Sequence, residues 1–155
     1  MKKKIIYMCI LFCCLFNFNS VYASNEKITI EYLSDGSYYE TILLEHESND
    51  HFLPKASSTK KGKKTVKYVD SKGVTRWKVS VIGTFTYNSL TSKCTKSEVT
   101  ATSYDNNWKI ASKSATKSNN VANASATAKN YYNGNLIATI TKKVSLQCSK
   151  TGVLS

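Results

Sequence analysis

From Trp77 to Tyr87 apolar and polar side chains alternate. Trp77, Val79, Val81, Phe85 and Tyr87 share one row with Gly83, and Lys78, Ser80, Thr84 and Thr86 share the other. A period of two held over this length is the pattern of a strand with one face buried. It excludes an amphipathic helix, whose apolar positions recur every three or four residues.

The same reading extends through residues 65–155. Val66 and Tyr68 open a short strand, and Asp70-Ser71-Lys72-Gly73 supplies turn chemistry with Gly at its last position. After a loop from Asn88 to Lys93, Cys94 to Tyr104 is a Thr- and Ser-rich strand, and Asp105-Asn106-Asn107 turns the chain into another that begins at Trp108 and Ile110. Ser118-Asn119-Asn120 turns it again. Ala122, Ala124, Ala126 and Ala128 then fall in one row. Ala is a poor strand former, so this row predicts a tight spot where bulky neighbours such as Trp77 or Trp108 press close. Asn133-Gly134 is the strongest hairpin signal, because both central residues of a type I′ turn need positive φ. The last strand carries Leu136, Ala138, Ile140, Val144, Leu146 and Cys148 in one row, and Lys142 interrupts it, which predicts a bulge or an exposed end. Six or seven short strands separated by turns predict an all-β fold, a small antiparallel β-sandwich, with a barrel as the alternative.

The first 23 residues have the parts of a secretory signal peptide. Lys2, Lys3 and Lys4 form the positive end, Ile5 to Phe16 the apolar run, and Val21-Tyr22-Ala23 a cleavage site after Ala23. The apolar run falls short of the roughly 20 residues a spanning helix needs. A retained anchor is the competing reading. Met8 precedes Cys9 and Phe12 precedes Cys13, where a lipid-modified Cys needs small residues, so a lipoprotein is excluded. Leu53-Pro54-Lys55-Ala56-Ser57 has the look of a wall-sorting signal, but it stands mid-chain with no apolar tail after it. A secreted or extracellular protein, at most loosely wall-associated, is expected.

Export would leave Cys94 and Cys148 as the remaining cysteines, in an oxidising compartment. One disulfide is the expected pairing. It would close a 55-residue loop, to which a chain-entropy model assigns about 4 kcal/mol. Two free thiols, or half of a metal site, are the competing readings.

Charge divides the remainder. Residues 24–53 hold Glu26, Glu31, Asp35, Glu40, Glu45, Glu47 and Asp50 against Lys27, and form an acidic arm. From Pro54 onward, 18 bases face three acids, Asp70, Glu98 and Asp105. Residues 54–64, with Lys55, Lys60, Lys61, Lys63 and Lys64, read as a mobile Lys-rich linker. The expected organisation is therefore a signal peptide (1–23), an acidic arm (24–53), a linker (54–64) and a sandwich domain (65–155). The arm either carries solvated charges, with Ile28, Ile30 and Tyr32 adding an edge strand, or folds back over the basic body.

Two resemblances follow from these residues. The order Cys94, Trp108, Cys148 resembles the immunoglobulin arrangement, in which a Trp packs on an inter-sheet disulfide, although Leu146 stands where that family has Tyr and two strands precede Cys94 rather than one. A second resemblance rests on Trp77-Lys78-Val79, Gly83-Thr84-Phe85-Thr86-Tyr87-Asn88, Cys94, Tyr104-Asp105 and Trp108-Lys109-Ile110. It continues through the Ala/Ser/Thr-rich stretch and Cys148-Ser149, Gly152 and Leu154-Ser155. Over residues 74–155 the chain is similar to small secreted β-sandwich proteins of Gram-positive bacteria whose function is not established. That resemblance implies a secreted sandwich and carries over no catalytic or binding residue.

Catalysis needs groups whose protonation or nucleophilicity can be tuned. No His follows Leu53, the three acids of the body are scattered, and no nucleotide motif is present. His46-Glu47 and Asp50-His51 make at most a weak metal or proton-transfer cluster. The expectation is a non-enzymatic protein without cofactor or metal. Lys67, Lys72, Arg76, Lys78, Lys109, Lys113, Lys117, Lys129, Lys142 and Lys143 instead form a basic surface for anionic polymers of a wall, glycan or lipid surface. Nearly all of this charge is Lys, which favours loose, unselective contact. Tyr38, Tyr39, Tyr131 and Tyr132 offer rings for stacking on sugars. A secreted effector, such as a protease inhibitor or antibacterial protein using loops 88–93 and 105–107, is the alternative.

Overall fold

A computed structural model describes residues 26–46 and 57–155. The expected signal peptide, and the stretch holding His51, Pro54 and Lys55, lie outside the described residues. Eight strands follow in chain order: β1 (Glu26–Tyr32), β2 (Tyr38–His46), β3 (Ser58–Val69), β4 (Thr75–Tyr87), β5 (Ser92–Ser103), β6 (Trp108–Ser118), β7 (Val121–Tyr132) and β8 (Asn135–Gln147). They form two antiparallel sheets, β1-β2-β3-β4-β5 and β6-β7-β8. The all-β expectation holds, and the arrangement is that of two layers sharing one core. Among the described residues no helix is long and apolar enough to cross a membrane.

Local chemistry accounts for the turns. Asn133 and Gly134 have φ of 48° and 81°, as the β7–β8 hairpin requires. Gly73 at φ 79° donates its N–H to Asp70 O (2.9 Å) and closes the β3–β4 turn. Asn119, at φ 50°, closes β6–β7.

The predicted row of β4 is the floor of the core: Trp77, Val79, Val81 and Phe85 are almost wholly buried. Across the layer lie Ala122, Ala124, Ala126 and Ala128 of β7, with Val144 and Leu146 of β8. The alanines mark a close approach between layers. A Cβ placed on Gly83 would lie 2.5 Å from the Phe85 ring and 3.0 Å from the Ala122 methyl. Trp77, Trp108 and Tyr68 stack at one end, with Tyr68 and Trp108 centroids 5.3 Å apart.

The structure corrects four expectations. First, strands within each sheet are neighbours in sequence. The sheets are two meanders without the exchange of strands that an immunoglobulin sandwich needs. Second, the linker and arm are not separate from the body. Ser58–Lys64 belongs to β3 and pairs with β4 throughout, and Lys61–Lys64 pairs with β2 as well, while Tyr39 and Leu43 of β2 enter the core. The five Lys of residues 54–64 suggested self-repulsion, but Lys60 meets Glu45 at 2.7 Å.

Third, Lys142 makes no bulge. The β7–β8 irregularity lies at Asn130/Tyr131. Lys142 stays in the inward row because its ammonium sits 3.5 Å from the Tyr39 ring centroid and 3.2 Å from Glu31. Fourth, Cys94 and Cys148 are buried free thiols, not a disulfide. Both backbones are tied to the same turn, Cys94 N–H to Asn119 O (2.7 Å) and Cys148 N–H to Asn120 O (3.1 Å). Their sulfurs, however, turn to carbonyls close by in the chain. The β-bulge after Cys94 brings Lys96 O to 3.3 Å from its Sγ, and Cys148 Sγ donates to Ser149 O at 3.4 Å.

Candidate functional site

The expected basic residues do not converge. Each strand sends alternate side chains to opposite faces, so a charge list drawn from several strands is divided among surfaces. Arg76 is held between two turns: its Nε and Nη2 bind Asp70 Oδ2 at 2.9 and 2.5 Å, and its Nη1 binds Asp105. Asp70 Oδ1 in turn accepts from Lys72 N (3.0 Å) and Val74 N (2.9 Å). The Val74 N–H and the Arg76 guanidinium hold the Asp70 carboxyl below its usual range. This cluster borders a cleft of about 240 Å3 with Tyr68, Trp108, Asn107 and Asn130. Its charged members are already bound to one another, so it locks two turns together and leaves no free guanidinium for a ligand.

Three acids of the N-terminal strands neutralise further lysines. Glu31 meets Lys142, Glu40 meets Lys67 at 2.8 Å and Glu45 meets Lys60. Lys78 lies 5.1 Å from the Tyr104 ring, on the outer face of the larger sheet. Register places Lys61, Lys63, Lys93 and Lys96 on that same face, with Glu26, Glu40 and Glu98 among them. Lys96 is paired with Glu98 at 3.0 Å. Lys113 and Lys117 stand opposite Ala126 and Ala122, in the inward row of the edge strand β6.

The smaller sheet is different. Every Asp and Glu of the chain precedes Trp108, whereas seven lysines follow it. Three of them, Lys109, Lys129 and Lys143, alternate with the buried rows of β6, β7 and β8 and so occupy the outer face. Lys109 and Lys129 are directly opposite one another, and Lys109 lies 5.6 Å from the Tyr131 ring. Along this face the register sets rows of small polar side chains: Ser112, Thr127 and Thr141, then Ser114 and Ser125 beside Lys143, and beyond Lys143 Thr116, Asn123 and Ser145. Some bond to each other, as Thr127 to Thr141 (2.9 Å) and Ser145 to Asn123 (2.7 Å). A shallow groove of about 440 Å3 runs over Ser114, Thr116, Asn123, Ser125, Lys143 and Ser145. Hydroxyls can donate to oxyanions as well as accept, and lysines without acid neighbours keep their full field.

The structure thus places Lys109, Lys129 and Lys143 of the expected set on one acid-free face, sets Lys67 opposite Lys78 on the larger sheet, leaves Lys113 and Lys117 in the inward row of β6, and engages Arg76 and Lys142 with carboxylates. The groove's Ser, Thr and Asn were missed by sequence reasoning, which read residues 111–127 only as an Ala/Ser/Thr-rich stretch. The acid-free run after Asp105, read with a period of two, was the signal that could have found them.

Tyr39 is buried beneath Lys142, and Tyr132 is the exposed member of its pair. Loop 88–91 is a tight turn, with Ser89 at φ 64° and the Asn88 carboxamide accepting from Leu90 N and Thr91 N. Asp105 belongs to the Arg76 cluster. Among the described residues no three His, Cys, Asp or Glu side chains gather around a point that could hold one ion. His46 ends β2, exposed, and His51 lies outside the described residues. No protein-family model, curated protein or solved structure matches this chain.

Proposed function

We propose that this protein is a secreted, non-enzymatic binding module that lays the outer face of β6–β8 against an anionic extracellular polymer, such as a phosphate- or sulfate-bearing glycan of a cell envelope. Export is inferred from residues 1–23. The observation that carries the reading is the acid-free sheet: its outer face holds Lys109, Lys129 and Lys143, the last lining a groove of hydroxyl and amide groups, and no carboxylate stands on any of its strands. Lysines supply point charges without the fixed fork of arginine, so they suit a repeating anion better than one oriented ligand. The hydroxyl rows add short-range hydrogen bonds that a bare basic patch lacks.

The test is retention on an immobilised linear polyphosphate across a salt series, comparing wild type with two triple variants. Lys109→Gln/Lys129→Gln/Lys143→Gln is expected to elute earlier. For a single-stranded polyanion each engaged lysine contributes about 0.7 to the log–log salt slope, so the slope should fall by about 2. Lys61→Gln/Lys63→Gln/Lys93→Gln, on the larger sheet, should leave the slope near wild type. Salt-independent retention would remove the reading, and a loss confined to the second variant would move the site to the other face.

A further inference from the structure

The edge strand β1 carries a self-complementary sequence. Its core-side row is Lys27, Thr29 and Glu31, and its outer row holds Ile28 and Ile30. Among the described residues β1 pairs only with β2, so there it is an edge strand with no strand on its other side. Ile28 and Ile30 are about half exposed and Tyr32 is 74% exposed, which makes this an apolar edge with no proline or bulge to blunt it. Natural sheets seldom leave such an edge open, because it templates pairing with another chain. A lysine is a common guard against that pairing. Here Lys27 has an acid placed symmetrically about Thr29, which turns the guard into a selector of one partner.

We propose that β1 pairs antiparallel with β1 of a second copy of this chain, about a two-fold axis through Thr29 normal to the sheet. Lys27 then faces Glu31 of the second copy and Ile28 faces Ile30, each contact occurring twice, while Thr29 faces Thr29 once, on the axis. Such an interface is isologous, the commonest form of closed assembly. An axis normal to the sheet keeps core-side residues opposite core-side residues, so only registers that move by two are open to it. Shifting by two in either direction sets Lys27 or Glu31 against Thr29 and loses both charge pairs, so charge fixes the register. The two five-stranded sheets become one sheet of ten strands with both smaller layers on the same side.

A second observation agrees. Lys27 has no acid within ion-pair distance among the described residues, and it shares a row with Lys64 through Leu43. The two cations oppose each other, and the Lys64 ammonium is pushed below its usual range by burial and by Lys27. Glu31 of a second copy would bring a negative charge to this corner. Glu31 already touches Lys142, yet its side chain is 67% exposed and can meet both. This inference is independent of the polymer-binding face, which lies on the other sheet.

The experiment is sedimentation equilibrium and native mass spectrometry on the full chain and three samples: Lys27→Glu, Glu31→Lys, and the two mixed in equal amounts. Wild type should dimerise with concentration. Either single variant sets like charges opposite each other twice and should weaken dimerisation by about tenfold or more. The mixture should recover it as a mixed dimer, because each variant then offers what the other lacks. Recovery on mixing also separates a lost contact from a damaged fold, which circular dichroism of each variant checks independently. A wild type that stays monomeric at every concentration, single variants that dimerise as wild type does, or a mixture that fails to recover would each overturn the proposal.

Discussion

A buried thiol is defined by what its sulfur can reach. Cys94 and Cys148 are anchored by their N–H groups to adjacent carbonyls of one turn, and still each Sγ takes a backbone carbonyl near its own Cα. Burial pushes both thiols above their ordinary value, which lowers the thiolate fraction that reacts. In a chain beginning at Ser24, Ellman's reagent at pH 8 is expected to find neither thiol within minutes under native conditions, and to titrate two once guanidinium is added without reductant. Finding none in guanidinium would mean that the sulfurs are covalently joined. Counting cysteines could set the candidates for a bond. It could not foresee the bulge after Cys94, because that bulge arises from the pairing of β4 with β5. Arg76 gives the same lesson: its charge was legible, and the two aspartates that occupy it stand 6 and 29 residues away.

Strands were legible where a single face is buried. The rows of β4, β7 and β8 run as the alternation predicts, with Ala122 to Ala128 at the close approach of the layers. β2 and the first half of β3 were hidden for a physical reason. Their residues include Lys and Glu on both faces, and what makes them strands is the partner on either side, with Glu45 and Glu40 neutralising Lys60 and Lys67. Strand preference depends on such context more than helix preference does. The consequence is that the acidic segment is part of the core. Leu43 is 6% exposed, so Leu43→Ala should cost about 2–5 kcal/mol, the usual range for a buried leucine. Urea unfolding followed by Trp fluorescence measures it, since Trp77 and Trp108 are in the same core cluster. A change below 0.5 kcal/mol, the scale of ordinary surface substitutions, would restore residues 24–64 to the status of an appendage.

At the scale of the whole molecule, chain order has become a spatial separation of charge. All ten acids lie before Trp108, and folding sends that part of the chain to β1–β5 and their turns, apart from residues outside the described set. The second meander then forms a layer whose outer face carries lysines, hydroxyls and amides and no carboxylate. Such a molecule has a preferred orientation in the field of an anionic surface, because turning the larger sheet toward it brings Glu26, Glu40 and Glu98 close as well. Orientation is measurable without any variant. Lysine acetylation read by mass spectrometry, with the protein on vesicles rich in anionic lipid, should show Lys109, Lys129 and Lys143 protected and Lys61, Lys63 and Lys93 still reactive. Raising the salt to 1 M shortens the screening length to about 3 Å, so the protected set should regain its reactivity while the fold stays intact. Equal protection of both sets at low salt would mean that net charge alone drives adsorption and that the division between the sheets gives the molecule no facing side.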